Sequence, residues 1–332
     1  MNLDTLLDAV SNPYSALAGV IATIGTFVVD SLGSGTIVLL SLTVLILVVG
    51  VFREASKAAI YEQGAIPLPI VINVSSATQS QSALDALFNI IERDHRFRKH
   101  GDNLAQHLKI LREDLIHEYR GNIHDIERLK LFLQFTRRDL ERLKTQPSTD
   151  TIFHLAYIGP ASVGILIGTL LGLDGIVIYQ FNKTSKSYYP VIEVRDRRLK
   201  ENIYSYQKFK LQKPQPTQPR ATVAIDVSSH KLNLNEPSIK NYGDLIYIKS
   251  LTMGTIKPEE DWTQYCREVF ATLNNAQRHY QEIQLVYSMP VALAISIGIA
   301  ARNYWNIWLT NYDPKTGHYC HLMKLNDIQY YS

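Results

Sequence analysis

The chain has 332 residues, 46% of them hydrophobic, and a formal net charge of +3 at pH 7. This charge is too small to indicate a nucleic-acid-binding protein by itself, and the apolar content predicts an ordinary folded body. The two cysteines, Cys266 and Cys320, fit a reducing compartment and make no pair of metal ligands.

The front of the chain is predicted to enter a membrane. Residues 15–52 carry one charge, Asp30, which separates two apolar runs, 15–29 and 36–52. As helices, these runs would each be roughly 23–26 Å long, which is short for a hydrocarbon core of about 30 Å. Turn residues around Asp30 favour a hairpin of two short helices, and one helix at 36–52 is the alternative. Basic residues follow, so the positive-inside rule predicts a transmembrane segment at 1–57 with the rest of the chain in the cytoplasm.

The next part, 58–194, is predicted to be an α/β unit. Runs rich in Ile and Val predict buried strands, and apolar residues three or four apart predict helices. A long charged stretch with helical periodicity, 103–144, predicts an inserted helical hairpin. The other predicted elements are strands at 67–74, 152–157, 176–181 and 188–194, and helices at 79–94 and 160–171.

A basic segment with three prolines, 195–220, is predicted to be a linker. A solvated linker is the favoured interpretation, and contact with an anionic ligand or a lipid surface is the alternative. The unit that follows, 221–332, repeats the order of the first, which predicts two Rossmann-like halves. Its predicted elements are strands at 221–227, 245–249, 283–287, 306–310 and 319–325, and helices at 261–280 and 290–302.

Two motifs occur once in each unit. Val-Ser-Ser ends a strand at 74–76 and again at 227–229, and Tyr-x-x-Pro follows a strand at 157–160 and again at 287–290. Ligands of doubly wound sheets bind beyond the carboxyl ends of the strands, so all four loops are expected at that edge. The duplication therefore predicts a pseudo-dimer that binds a pseudo-symmetric ligand.

These loops carry groups that suit a phosphate. Serine hydroxyls can donate hydrogen bonds, and the start of a helix offers free N–H groups and a partial positive charge. The two motif tyrosines can stack on bases or form hydrogen bonds. For any single residue, helix capping or core packing is an ordinary explanation; the recurrence of both motifs in order favours binding.

The segments HLAYIGPASVGILIG and QLVYSMPVALAISIG, each followed by an apolar strand, resemble the SAVED domain, a fused pair of CARF-like units in bacterial CBASS antiphage defence. The resemblance covers about residues 65–330, although 103–144 matches no motif of that family. With the apolar segment in front, the whole chain resembles a transmembrane SAVED effector. The implied fold is α/β, with two fused Rossmann-like (CARF-like) halves forming a pseudo-dimeric SAVED domain.

The resemblance implies a function. A cyclic oligonucleotide of three or four nucleotides, made by a CD-NTase enzyme, binds the cytoplasmic SAVED domain, drives homo-oligomerisation and leads to disruption of the bacterial inner membrane. Membrane lipid is then a partner, and no DNA or RNA polymer, metal or cofactor is implied. Carried onto this chain, the ligand-binding residues are Ser75, Ser76, Tyr157, Gly159, Pro160, Ser228, Ser229, Trp262, Tyr287, Ser288, Met289 and Pro290, with Arg197, Lys213 and Arg220 as weaker phosphate ligands.

No catalytic residues are predicted, and the chain is expected not to be an enzyme. A ring nuclease that cleaves its cyclic ligand is one alternative, with His154 and His230 near the expected ligand edge. A membrane-tethered adaptor that binds no nucleotide is the other. The motif at 318–321, HYCH, is interpreted as a strand and not a zinc site, because alternation sends its side chains to opposite faces.

Overall fold

The computed structural model describes residues 65–75, 78–94, 110–145, 151–171, 175–195, 197–228, 230–252, 254–301 and 305–327. The predicted membrane segment, 1–57, lies outside these residues. Among the helices of the described ranges, none combines the length and the apolar character needed to cross a bilayer. Residues from Ile66 onward belong to one compact unit.

The first half is built on a five-stranded sheet with the order β2-β1-β3-β4-β5. The first four strands are parallel and β5 is antiparallel to β4. The strands are β1 Ile66–Asn73, β2 Ile116–Glu118, β3 Thr151–Ile158, β4 Ile176–Asn182 and β5 Ser187–Val194. The helices are α1 Ser80–Arg93, α2 Ile126–Thr145 and α3 Ala161–Leu170.

The second half has a six-stranded sheet with the order β11-β10-β9-β7-β8-β6. Without β6, this is the order of the first sheet, so the sequence repeat is a structural repeat. The strands are β6 Phe209–Gln212, β7 Arg220–Asp226, β8 Asp244–Ser250, β9 Glu282–Ser288, β10 Ile307–Asp313 and β11 His318–Lys324. The helices are α4 Pro237–Lys240, α5 Trp262–Gln277 and α6 Val291–Ala301.

The equivalent helices α3 and α6 join the two halves. Both are apolar on all sides and almost completely buried, as expected for helices at the centre of a domain. A Cβ atom at Gly168 would collide with the Ile295 carbonyl oxygen and lie 2.9 Å from the Gly298 Cα. A Cβ atom at Gly298 would meet the Ile165 carbonyl oxygen and the Gly168 Cα in the same way. The helices therefore cross backbone against backbone at a pair of equivalent glycines.

The helical hairpin predicted at 103–144 is wrong in the described part of its first arm, from residue 110 onward; residues 103–109 lie outside the described residues. Residues Arg112–Leu115 form a 3₁₀ turn, and β2 pairs with β1 as a short parallel strand. The burial pattern is that of a strand and not of a helix face. Leu115 and His117, two residues apart, are buried, while Leu111, which would share a helix face with Leu115, is 70% exposed. The second arm is the helix α2.

The segment predicted as a linker, 195–220, contains regular structure. A 3₁₀ turn occupies Arg197–Lys200, and β6 pairs antiparallel with β8 at the edge of the sheet. The completely buried carboxylate of Glu268 fixes the start of β6, because it accepts N–H groups from residues 207, 208 and 209 at 2.8–3.1 Å. Such a contact between distant residues leaves no local pattern in the sequence.

Candidate functional site

The carboxyl ends of the central strands have the same geometry in both halves. The Val74 N–H group donates to the Ile158 carbonyl at 2.7 Å, and the Val227 N–H group donates to the Ser288 carbonyl at 2.8 Å. These bonds join the carboxyl ends of β1 and β3, and of β7 and β9, at equivalent positions. The four motif loops therefore emerge at the carboxyl edges of the two sheets, where ligands of α/β folds bind.

In the first half, the serine loop is organised by Asn73. Its side-chain oxygen accepts the Ser75 N–H group at 3.0 Å and the Ser75 hydroxyl at 2.9 Å. Its amide donates to Ser80 at 2.8 Å, and the Ser80 hydroxyl donates to Glu118 at 2.5 Å. The Ser80 hydroxyl, followed by Arg120, lowers the pKa of the Glu118 carboxyl group. Ser76 lies outside the described residues.

In the second half, the structure brings two predicted residues together. The hydroxyl oxygens of Ser228 and Ser288 are 2.5 Å apart. The Ser288 hydroxyl also donates to the His230 carbonyl at 2.5 Å, and the His230 N–H group donates to Ser228 at 3.1 Å. This hydroxyl pair sits on the sheet edge beside the buried carboxylate of Asp226, which accepts the Tyr247 hydroxyl at 2.9 Å. Ser229 lies outside the described residues.

The hydroxyl groups of the two motif tyrosines donate to backbone carbonyls, within the motif loop in the first half and on β10 in the second. Tyr157 is 4% exposed, and its hydroxyl donates to the Pro160 carbonyl at 2.8 Å. The Tyr287 hydroxyl donates to the Thr310 carbonyl at 2.5 Å. Burial raises the pKa of both hydroxyl groups. The stacking role predicted for Tyr157 does not fit this placement, because its ring has no face open to a ligand.

Glycine is required between Tyr157 and Pro160. A Cβ atom at Gly159 would lie 2.6 Å from the Tyr157 hydroxyl oxygen and 3.1 Å from the Val74 Cβ. Pro160 is the N-cap of α3, so the helix begins at Ala161, one residue later than predicted. In the first half, the motif therefore combines a buried tyrosine, a glycine that leaves room for it and a proline that caps the helix; the second half has Met289 at the position of the glycine.

The remaining predicted residues contribute mostly to the core. Trp262 is 1% exposed and donates from its indole nitrogen to the Lys257 carbonyl at 2.9 Å, so its ring is not accessible for stacking. Met289 and Pro290 are also buried. Arg220, at the amino end of β7, lies at the opposite edge of the sheet, where it pairs with Glu282 at 3.3 Å.

The residues considered for catalysis or metal binding have structural partners. His154 is fully buried, with its Nδ1 atom 2.8 Å from the Tyr179 hydroxyl. His321 stacks on Trp308 with ring centroids 4.7 Å apart, within the strand predicted there. Within the described ranges, no three His, Cys, Asp or Glu side chains are grouped to hold a metal ion.

Two exposed aromatic side chains at this edge were not predicted. Phe181 and Tyr312 occupy equivalent positions and are 39% and 49% exposed. Each lies against a tyrosine of the next strand, Tyr188 at 5.1 Å and Tyr319 at 5.3 Å between ring centroids. The available signal was that both repeats end in a tyrosine-containing segment. These pairs, and not Tyr157 or Trp262, present aromatic faces to solvent.

Comparison with solved structures gives distant similarities. One is the structure of a SAVED/CARF-domain containing receptor, Cap4 of Acinetobacter baumannii, with the cyclic trinucleotide 2'3'3'-cAAA. It is 14% identical, and the match has a TM-score of 0.49 and covers 77% of this chain and 51% of that one. Cap4 of Moraxella osloensis is 13% identical, with a TM-score of 0.46 and coverage of 79% and 50%. The chain thus spans about half the length of these receptors.

No curated protein sequence matches the chain. The family model described as "SMODS-associated and fused to various effectors sensor domain", SAVED, matches residues 57–194 and 197–325. The two matched ranges correspond to the two structural repeats. The chain therefore belongs to the SAVED family of sensor domains.

Proposed function

We propose that the protein is a membrane-anchored sensor and effector. In this proposal, a cyclic oligonucleotide binds the SAVED domain, the protein oligomerises, and the inner membrane is disrupted in an abortive antiphage response. The observation that carries the proposal is the pair of equivalent polar loops at the carboxyl edges of two repeats in a sensor-family domain. A ring of nucleotides presents similar groups at repeated positions, which suits a site with two matched halves.

The groups at this edge support a ligand that is both polar and aromatic. Ser75 and the Ser228–Ser288 pair carry hydroxyl groups that donate within their own loops here and, on turning toward a ligand, can donate to phosphate or ribose oxygens instead. Phe181 and Tyr312 have exposed rings, and bases stack on such faces without a strong sequence preference. Donors and rings recur in both halves, so one ring-shaped ligand can engage both.

The membrane part of the proposal rests on the sequence. The two apolar runs, 15–29 and 36–52, are each short for a bilayer, and clustering many of them would thin the bilayer locally. We propose that the domain faces the cytoplasm and that residues 1–57 anchor it in the inner membrane. Head-to-tail contacts that do not close would give open arrays of such anchors.

Binding is tested on the full-length chain in detergent. We expect one member of a panel of cyclic di-, tri- and tetranucleotides to bind, to increase the size of the particle, and to be recovered intact. The double variant Ser228→Ala/Ser288→Ala should bind at least about tenfold more weakly, since two hydrogen bonds are lost. Thr145→Ala, which removes an exposed hydroxyl at the end of α2, is the matched control.

Three outcomes would contradict the proposal at different points. If no member of the panel binds, the sensor function is wrong. If the ligand is recovered in linear form, the ring nuclease alternative is correct. If the chain without residues 1–52 still kills cells on ligand production, the membrane mechanism is wrong.

A further inference from the structure

Two amide side chains cross between the halves at equivalent positions. Gln180 is the fifth residue of β4, and Asn311 is the fifth residue of β10. The Gln180 side-chain oxygen accepts the N–H group of Ala292 at 3.3 Å, and the Asn311 side-chain oxygen accepts the Ser162 hydroxyl at 3.3 Å. Ser162 and Ala292 are the second residues of α3 and α6. Each half thus holds the first turn of the other half's central helix.

The backbone places both amides in the same way. The register of β4 against β5 shifts between Ile178 and Tyr179, and that of β10 against β11 shifts between Leu309 and Thr310. In both strands, one residue separates the irregularity from the amide residue. Bulges of this kind change the direction of a side chain and are frequent beside functional sites. Two equivalent bulges ahead of two equivalent amides indicate a duplicated device and not an isolated contact.

The nitrogen of each side-chain amide forms a hydrogen bond with the next residue of its own strand. The Gln180 side-chain nitrogen donates to the Phe181 carbonyl at 3.2 Å, and that of Asn311 donates to the Tyr312 carbonyl at 3.4 Å. These two carbonyls belong to the exposed aromatic residues at the carboxyl edge. If the amide side chain moves, the strand segment that carries the exposed ring therefore loses a hydrogen bond.

The two hydrogen bonds between the halves are long enough for a ligand to replace them. Both bonds are 3.3 Å long, whereas an N–H···O bond such as that of Ala292 is usually about 2.9–3.0 Å and an O–H···O bond such as that of Ser162 about 2.7–2.8 Å. Both amides are only half-buried. The amide oxygens are acceptors, as phosphate oxygens are. Because Ser162 and Ala292 are completely buried, a ligand phosphate reaches these donors only by displacing the amide side chain that is bonded to each of them.

We propose that Gln180 and Asn311 form a reciprocal latch that holds the two halves in the ligand-free arrangement and is released by the phosphate groups of the cyclic oligonucleotide. The competition rests on the proposed function; the latch itself does not. Both amides act as positioning residues, because they set the relation between the halves through α3 and α6.

The first test needs no ligand and measures hydrogen exchange at the Ala292 amide in the full-length chain. Gln180→Ala should accelerate this exchange about threefold to tenfold, the range given by loss of one ordinary hydrogen bond. Asn311→Ala is the matched control and should leave the Ala292 rate unchanged, because its contact is with Ser162. An unchanged rate in Gln180→Ala would overturn the latch.

The second test measures the affinity for the cyclic oligonucleotide that binds the wild type. Gln180→Ala and Asn311→Ala should each tighten binding about twofold to tenfold, because the ligand no longer displaces a hydrogen bond. Gln180→Glu keeps the acceptor but adds a negative charge, so it should weaken binding. Unchanged or weaker binding in both alanine variants would overturn the competition. If the wild type binds nothing, the proposed function and the competition both fail, while the exchange rates still decide whether the latch exists.

Discussion

Substitution of alanine for Gly168 should separate the two central helices. The added Cβ atom would lie 2.9 Å from the Gly298 Cα and collide with the Ile295 carbonyl oxygen. Carbon atoms pack at about 3.5–4.0 Å, so the contact with the Gly298 Cα alone requires the helices to part by roughly 0.6–1.1 Å, and the closer Ile295 carbonyl oxygen requires more. Neither contacting group can rotate away, because both belong to the backbone.

The expected effect is a loss of stability despite a better helix former. Overpacking a close-packed interior costs about 1–3 kcal/mol, and alanine in place of glycine returns about 1 kcal/mol of helix propensity. Gly164→Ala is the matched control in the same helix, since its Cβ atom would meet only side chains, the nearest being Tyr157 at 3.3 Å. We expect Gly168→Ala to unfold with a free energy about 1–3 kcal/mol below that of Gly164→Ala.

The measurement is urea denaturation of the full-length chain in detergent, followed by tryptophan fluorescence. Gly298→Ala should give a similar loss, because the contact is reciprocal. Equal stability of Gly168→Ala and Gly164→Ala would refute the backbone contact. Loss in one glycine variant without the other would refute its symmetry.

Two further predictions concern charge and stacking. The Lys324 ammonium group, with help from the indole of Trp308, lowers the pKa of Glu282 from its usual 4.5 to about 2. The stabilisation by the ionised Glu282 is therefore complete at neutral pH and is lost as the pH falls from about 4.5 to about 2. Glu282→Gln should lower the free energy of unfolding by about 1–3 kcal/mol at pH 7 and by much less at pH 2. Denaturation curves at both values check this, and an equal loss at pH 2 would contradict it. Phe181→Ala and Tyr312→Ala should each weaken cyclic oligonucleotide binding about fivefold to 150-fold, the range of one base–aromatic stack, in a calorimetric titration. Leu131→Ala, which removes a side chain 53% exposed on α2, is the control, and affinities equal to it would exclude the two rings from the site.

The sequence was sufficient for the repeated elements of the fold. Runs such as those of β1 and β7 are buried on both faces, so their apolar character stands out without any knowledge of neighbours. The short edge strands β2 and β6 were missed, because a strand of three or four residues has too little pattern to separate from a turn. Their pairing partners are distant in the chain.

The candidate site was predictable in position and less so in detail. The motif loops at Ser75 and Ser228 do lie at the carboxyl edges, as strand order requires. Which face of a strand-end aromatic is open depends on packing with distant elements, so the burial of Tyr157 and the exposure of Phe181 could not be read from the sequence. The contact between Gln180 and Ala292 joins residues 112 positions apart, and nothing local indicates it.

The extra strand β6 makes the outer edges of the two sheets of this pseudo-dimer different. Two identical repeats would present identical outer edges, and a second molecule approaching either edge would meet the same surface. Here one sheet ends in the three-residue strand β2 and the other in β6, which is fastened by the buried Glu268. Within the described residues, a second molecule would therefore meet a different strand at each of these ends, the parallel-paired β2 or the antiparallel-paired β6.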